Sequence, residues 1–559
     1  MVSSDPLGRA AGCRRPGGAV GTARRKKTDA YRDDICGIMP NLFLFKYFIL
    51  FFSFFCIIIE MIIISVRAID GMVFSSLIFL LAFLPLNLIC YFCVGKLQAR
   101  NVVLLVFSLI FYAWGEPVYV LILLGMSFAS WWFSQKISAA RSAPEKKRWL
   151  MWAVIVCLGT IGIFKYTGFF VQNLNLLPFV NLPVPQIGLP IGISFYTFQL
   201  LTYVVDVYRG DVPAQKYYWK VLLYAGLFHQ CVAGPIVRYG DIENELTERR
   251  SDLKSVYTGT NRFIIGLAKK SVLANSCGAL VDALLLSDAQ IGDASLLAQN
   301  LATLQGRSAL TLWMGMAFYM LQIYLDFSAY SDMAIGMGLI CGLHYKENFR
   351  YPYTADSITD FWRRWHISLG TFFRDYVYIP LGGNRQGQLR TYLNMFIVWA
   401  LTGLWHGASW NFVLWGLYFF VFLVLEKAFL GKLLQKTQVV KHVYLIVIVF
   451  FGWIFFRFTK MPLVTAVFSG MFCHNGNPFW TYVSRQFAFK YLLFFILCCV
   501  GCTPLAANAI RWLHVKARRD RRFAVAQKIV LIAGPCLLLI LSVLALVGDS
   551  YNPFLYFQF

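Results

Sequence analysis

The chain reads as a series of long uncharged apolar runs joined by polar connections. The runs lie at 42–66, 72–87, 102–133, 149–170, 187–205, 221–237, 309–341, 393–425, 443–458, 489–509 and 529–547. Runs of this length suit helices that cross a bilayer. They lack the roughly ten-residue alternating segments of a membrane barrel. Some are short or interrupted, such as "LPIGISF", "CVAGPIV" and the break at Glu116-Pro117. Broken helices at membrane depth need surrounding protein or a water-filled cavity, because lipid offers the freed backbone groups no partner. The pattern therefore predicts an all-α polytopic transmembrane helical bundle. It would have about ten to twelve spans, with re-entrant and interfacial helices around a central funnel.

The ends depart from this pattern. Residues 1–40 are rich in Gly, Arg and Lys and have no apolar periodicity, which predicts a disordered basic extension. Residues 41–71 form a possible extra membrane anchor, and 72–559 the main domain, with Met72 an alternative start. The tail "NPFLYFQF" carries Phe554, Tyr556, Phe557 and Phe559, enough aromatic surface to dock in a groove.

Composition sharpens the membrane reading. Hydrophobic residues make up 58% of the 559 positions, and mean hydropathy is +0.61. The net charge of +24 would suggest nucleic acid in a soluble chain. Here the basic residues sit in short loops, such as 136–148 and 511–528, and no aromatic–basic nucleic-acid module occurs. Positive loops stay cytoplasmic, which orients 42–66 outward and leaves the C-terminus outside. The fourteen cysteines include two C-x-x-C pairs, at Cys90/Cys93 and Cys499/Cys502, without the second ligand pair of a zinc site. No metal and no structural disulfide is expected.

The unusual polar groups concentrate in 326–410. "DFSAYSD" sets Asp326 and Asp332 in apolar helix. In "SITDFWRRWHISLG", Ser357 with Asp360 signals a helix start. Trp362, Trp365, His366 and Leu369 then fall on one face by helical spacing. That reads as one amphipathic helix at the interface, with His366 on its apolar side. "LTGLWHGASW" places His406 in a run without charge. An imidazole buried in hydrocarbon needs a hydrogen bond or a use. His229 in "FHQCVAGP" is a third candidate that could equally serve a broken helix. His344, His442, His474 and His514 read as loop or interface residues. Neutral imidazole can take a proton from a hydroxyl near neutral pH. No Walker loop, G-x-S-x-G elbow or H-E-x-x-H occurs. Base-assisted transfer from an activated thioester fits these residues. Intramembrane Asp and His with broken helices would also suit a secondary transporter, but no internal repeat is evident.

The stretches "LDFSAYSDMAIGMG", "ENFRYPY", "SITDFWRRWHISLGTFFRDYVYIPLGG" and "LTGLWHGASWNFVLWG" resemble the core of the membrane-bound O-acyltransferase family. The resemblance is strongest to the bacterial alginate O-acetylase branch with its peptidoglycan and cellulose counterparts. "LPIGISFYTFQLLTYVVDVYRG", "AGPIVRY" and "YFQF" extend it over about 72–559; residues 1–71 are not usual in that branch. The resemblance implies a funnel from the cytoplasm to a histidine at mid-depth, in the cytoplasmic membrane. It implies acetyl-CoA as acyl-donor substrate with no bound cofactor. It also implies an exported SGNH-type acetyltransferase as partner and a polysaccharide acceptor. By motif, His406 takes the invariant histidine position and His366 the second histidine.

Further roles follow as expectations. Trp405, Asn411 and Arg363 are candidates to stabilise developing negative charge. Arg363, Arg364, Arg374, Arg385 and Lys346 are candidates for CoA phosphates. Asp326 or Asp332 could orient a histidine. Tyr556 could relay the acetyl group outward, since the tail also resembles a terminal segment of D-alanylation systems. D-alanyl transfer to teichoic acid is the rival within the enzyme class.

Overall fold

A computed structural model describes residues 72–548 apart from 233, 435 and 436. The basic extension, the possible anchor at 41–71 and the tail with Tyr556 lie outside the described residues. Among the described residues there is no strand. Eight helices are long and apolar enough to cross a membrane: Leu97–Gly115, Val120–Ala139, Ala143–Leu174, Leu253–Leu284, Trp410–Leu434, Gln438–Arg457, Tyr482–Gly501 and Arg521–Gly548. A ninth forms if Ala294–Gln305 is joined to Ala309–Ile340 across a bend of 117°. Shorter apolar helices, Phe79–Cys93 and Met461–Met471, fill in between.

Among the described residues the count is below ten to twelve; the run at 42–66 lies outside them, and the other differences have physical reasons. The runs at 187–205 and 221–237 become Ile193–Arg209 and two short helices, Tyr218–Gly226 and Phe228–Cys231. The run 393–425 divides into Gln388–His406 and a following helix from Trp410. One spanning-length helix, Leu253–Leu284, is not anticipated by the apolar pattern, because Arg262, Lys269 and Lys270 interrupt it.

Those charges are closed by packing. Leu253–Leu284 lies against Ala309–Ile340, whose side chains are nearly all buried. Glycines permit the approach: a Cβ on Gly259 would come within 2.6 Å of the Gly336 carbonyl oxygen, and one on Gly266 within 2.7 Å of that of Ala329. At this separation Lys270 Nζ reaches Asp326 at 2.8 Å with both side chains only 2% exposed. Asp332 is held by Arg262 at 2.9 Å and Lys269 at 2.6 Å, and Arg262 also binds Glu347. Lysines and an arginine of the neighbouring helix thus hold Asp326 and Asp332.

Candidate functional site

The segment 357–373 is not one interfacial helix. It forms two short helices, Ile358–Arg364 and Ile367–Phe373, with the break at Trp365–His366. Ser357 caps the first, its Oγ accepting the Asp360 N–H at 3.0 Å. The Glu426 carboxylate also closes that end, accepting the N–H groups of Ile358 at 2.6 Å and Thr359 at 2.9 Å. A carboxylate suits a helix N-terminus, where the free amides carry partial positive charge. At the break the 345–350 loop supplies the missing partners. The Arg350 N–H donates to the Arg364 carbonyl, and the Ile367 N–H to that of Asn348, both at 2.9 Å.

His366 sits at this break with left-handed backbone, φ +44°. That conformation is uncommon outside glycine, and it turns the imidazole off the face that continuous helical spacing would give it. The ring is buried among Phe327, Phe195 and Trp405. Its Nδ1 lies 3.2 Å from Asn348 Oδ1, which also accepts from the Ser368 hydroxyl at 2.9 Å. Burial among aromatic rings, with a backbone break held from a neighbouring loop, marks an internal site and not a bilayer surface.

His406 is the last residue of Gln388–His406, and Gly407 turns the chain into extended backbone. The next helix begins at Trp410 and packs back tightly. A Cβ on Gly416 would meet the Trp399 carbonyl oxygen at 2.3 Å, and one on Gly403 that of Phe412 at the same distance. The imidazole is 4% exposed and is surrounded edge-on by Trp405, Trp415 and Phe456.

Two cavities meet His406. One, of about 520 Å³, is lined by His366, His406, Arg363, Arg374, Tyr378 and Thr402, among others. The other, of about 40 Å³, is lined by His406, Trp405, Lys165, Ser194 and the loop from Leu189. The first has two guanidinium groups and two imidazoles in a largely apolar wall of aromatic and aliphatic side chains. The second is small and has a lysine and a serine hydroxyl.

The expected site residues divide accordingly. His366, Arg363 and Arg374 line the larger cavity with His406, and Trp405 lines the smaller. Arg364 does not join them; it pairs with Asp360 at 2.7 Å, one turn back on its own helix. Asn411 is buried and donates from Nδ2 to the Phe455 carbonyl at 2.9 Å, which ties two helices and leaves it outside both cavities. Lys346 pairs with Asp241 at 2.5 Å, and Arg385 lies exposed on the 380–387 turn. His229 is buried with Nδ1 3.3 Å from the Tyr345 hydroxyl, away from both cavities. His344 binds Glu245, and His442 meets the Ala355 carbonyl.

Beside the mouth of the larger cavity, Asp375 is bound by Arg238 at 2.5 Å and Arg374 at 2.6 Å. Burial opposes its ionisation, but the two guanidinium groups outweigh this and hold the carboxyl below the usual carboxylate range.

Residues outside the expected set also shape the site. Asn348 and Glu426 hold the broken segment, and Lys165 enters from Ala143–Leu174. Lys165 could have been found from sequence, since it is the one cation in the run 149–170 and intramembrane cations mark functional sites by default. Asn348 and Glu426 give no such signal.

Comparison with known proteins agrees with this architecture. Residues 217–468 match the model of the MBOAT, membrane-bound O-acyltransferase family. A probable alginate O-acetylase of Pseudomonas putida is 36% identical over 509 residues, covering 87% of this chain and 100% of the relative. The peptidoglycan O-acetyltransferase of Helicobacter pylori is 28% identical over 89% of this chain and 99% of its own. A teichoic acid D-alanyltransferase of Bacillus subtilis is 27% identical over 41% of this chain and 56% of its own. The chain is a multi-pass membrane acyltransferase and belongs to the membrane-bound O-acyltransferase family.

Proposed function

We propose that this protein transfers acetyl groups from acetyl-CoA, on the cytoplasmic side of a cytoplasmic membrane, toward an exported polysaccharide, with His406 as base. The observation that carries this reading is that His406 borders two cavities of different character. The larger, with Arg363 and Arg374, suits a thioester donor bearing phosphates. The smaller suits the approach of a hydroxyl from the other side. In the step itself the acceptor oxygen attacks the thioester carbonyl carbon and gives its proton to His406. The C–S bond breaks, and the departing thiolate takes that proton to leave as the free thiol. His366, fixed by Asn348, is assigned to orienting the donor or to stabilising charge on the carbonyl oxygen.

Acetyl transfer is favoured over D-alanyl transfer because the alginate-type relative covers 87% of the chain and the D-alanyltransferase 41%. The names of the relatives suggest alginate, peptidoglycan or a related glycan as the final acceptor, with an exported SGNH-type acetyltransferase accepting the group outside. Tyr556 is proposed as the relay hydroxyl between them; acetyl-Tyr556 should accumulate when that partner is absent and vanish in Tyr556→Phe.

The test is radiolabelled acetyl-CoA supplied to purified membranes bearing the protein. Covalent label on acceptor or protein, lost on His406→Ala, supports the reading. Uptake of a solute without covalent transfer would replace it with a transporter.

A further inference from the structure

Lys165 lies in an apolar stretch, yet its ammonium points inward to the end of the His406 helix. A π-type turn over Gly162–Tyr166 re-aims the side chains at this point. The last four carbonyls of any α-helix lack intrahelical partners. Here the first keeps a bond from the helix's own cap residue and the other three are met from another helix. Gly403 accepts from the Gly407 N–H at 3.4 Å. Leu404 accepts from the Tyr166 hydroxyl at 2.8 Å, and Trp405 from Lys165 Nζ at 2.5 Å. The His406 carbonyl lies 3.4 Å from the same Nζ. The π-turn thus covers three successive carbonyls at the residues that carry the imidazole. A cation there also meets the partial negative charge of the helix C-terminus. Lys165 further contacts Ser194 Oγ at 3.4 Å and lies 5.9 Å from the centre of the Trp405 ring.

We propose that Lys165 is a positioning residue for His406: by holding the carbonyls of Trp405 and His406 it fixes the imidazole at the junction of the two cavities. This inference rests on the assignment of His406 as base. Lys165 lines the smaller cavity and not the larger one, so its effect falls on turnover and not on donor binding.

The experiment compares Lys165→Met, Lys165→Arg and His406→Ala in purified membranes, reading acetyl transfer against acetyl-CoA concentration and the amount of inserted protein. For Lys165→Met we expect kcat to fall at least about tenfold, as a small misplacement of a reacting group can cost more than that, with the donor KM unchanged. Lys165→Arg, which keeps a cationic donor, should recover most of the loss. A kcat near wild type in Lys165→Met, alongside an inactive His406→Ala, overturns the inference and leaves the base assignment standing. A raised donor KM that accounts for the whole loss overturns it as well. Activity in His406→Ala removes the base assignment itself, and that result is read on a separate variant. If Lys165→Met does not accumulate, Lys165→Gln takes its place, with the same outcomes deciding.

Discussion

Two regions of this molecule put polar groups inside apolar helices, and they treat them in opposite ways. In the pair Leu253–Leu284 and Ala309–Ile340, the charges close on one another: Lys270 on Asp326, and Arg262 and Lys269 on Asp332. In the segment from Ile358 to the Trp410 helix, the backbone breaks instead, at His366 and after His406, and a cavity of about 520 Å³ opens against both rings. The first arrangement satisfies charge by charge. The second satisfies backbone from neighbouring loops and sets both imidazoles in the lining of that cavity. An intramembrane polar group therefore does not by itself mark a reaction site. What separates glue from site is whether the neighbouring helix supplies a complementary charge.

The most severe break in this comparison is at His406. His406→Ala should lower acetyl transfer by roughly 10²–10⁴-fold, the range for a positioned general base. Insertion should be retained, because the helix is held by Gly403–Phe412 and Gly416–Trp399 contacts that the imidazole does not make. Near-normal turnover in a well-inserted variant would falsify the role of base.

The closed region should fail differently. Lys270→Met leaves the Asp326 carboxylate buried beside an apolar chain, and removing one partner of a buried pair costs about 3–5 kcal/mol. Expected are a large fall in accumulated protein and in the melting temperature in detergent. Lys270→Met combined with Asp326→Leu removes both charges and should recover much of that stability. If the double variant is as unstable as the single one, the pair does more than neutralise itself.

These two outcomes bear on what the chain shows before it folds. The membrane class, the break at Glu116-Pro117 and the pairing of His366 with His406 were legible, because apolar length and lone histidines are local signals. Leu253–Leu284 was not legible as a spanning-length helix: Arg262, Lys269 and Lys270 lower its hydropathy along the middle, and the neighbouring carboxylates make them acceptable. The interfacial helix over 357–370 failed for a related reason. Periodicity assumes a continuous backbone, and the partners that stabilise the break, Asn348 and Arg350, come from another loop. For Asp326 and Asp332 the sequence left an orienting role and a structural one open, because spacing does not show which residue lies across the helix interface.

A smaller effect should come from the support of His366. Asn348→Leu removes the oxygen facing His366 Nδ1 and accepting from Ser368. A buried hydrogen-bonding group left without its partner costs roughly 1–3 kcal/mol. Turnover should fall about tenfold if that loosening is felt at the ring, less than for His406→Ala. Loss of protein with normal specific activity would make Asn348 purely a fold residue and weaken the case for His366 in transfer.

The smallest effect expected concerns the cavity mouth, where the two modes of handling charge meet. Arg374 both lines the cavity and pairs with Asp375, whereas Arg363 lines it with no ion pair among the described residues. If the mouth holds donor phosphates, Arg363→Ala should raise the acetyl-CoA KM several-fold with kcat little changed, the signature of lost uniform binding. Arg374→Ala should do less, because Asp375 already takes part of its charge. The Arg238–Asp375 tie adds a pH dependence whose sign is fixed. Asp375 has a lowered folded pKa, so its contribution is full above the ordinary carboxylate value of about 3.9 and is lost as pH falls through the lowered one. Donor affinity measured from pH 7 down to 5 should therefore show no transition from Asp375. A transition in that window that disappears in Asp375→Asn would mean that the carboxyl is not held as its two arginine partners imply.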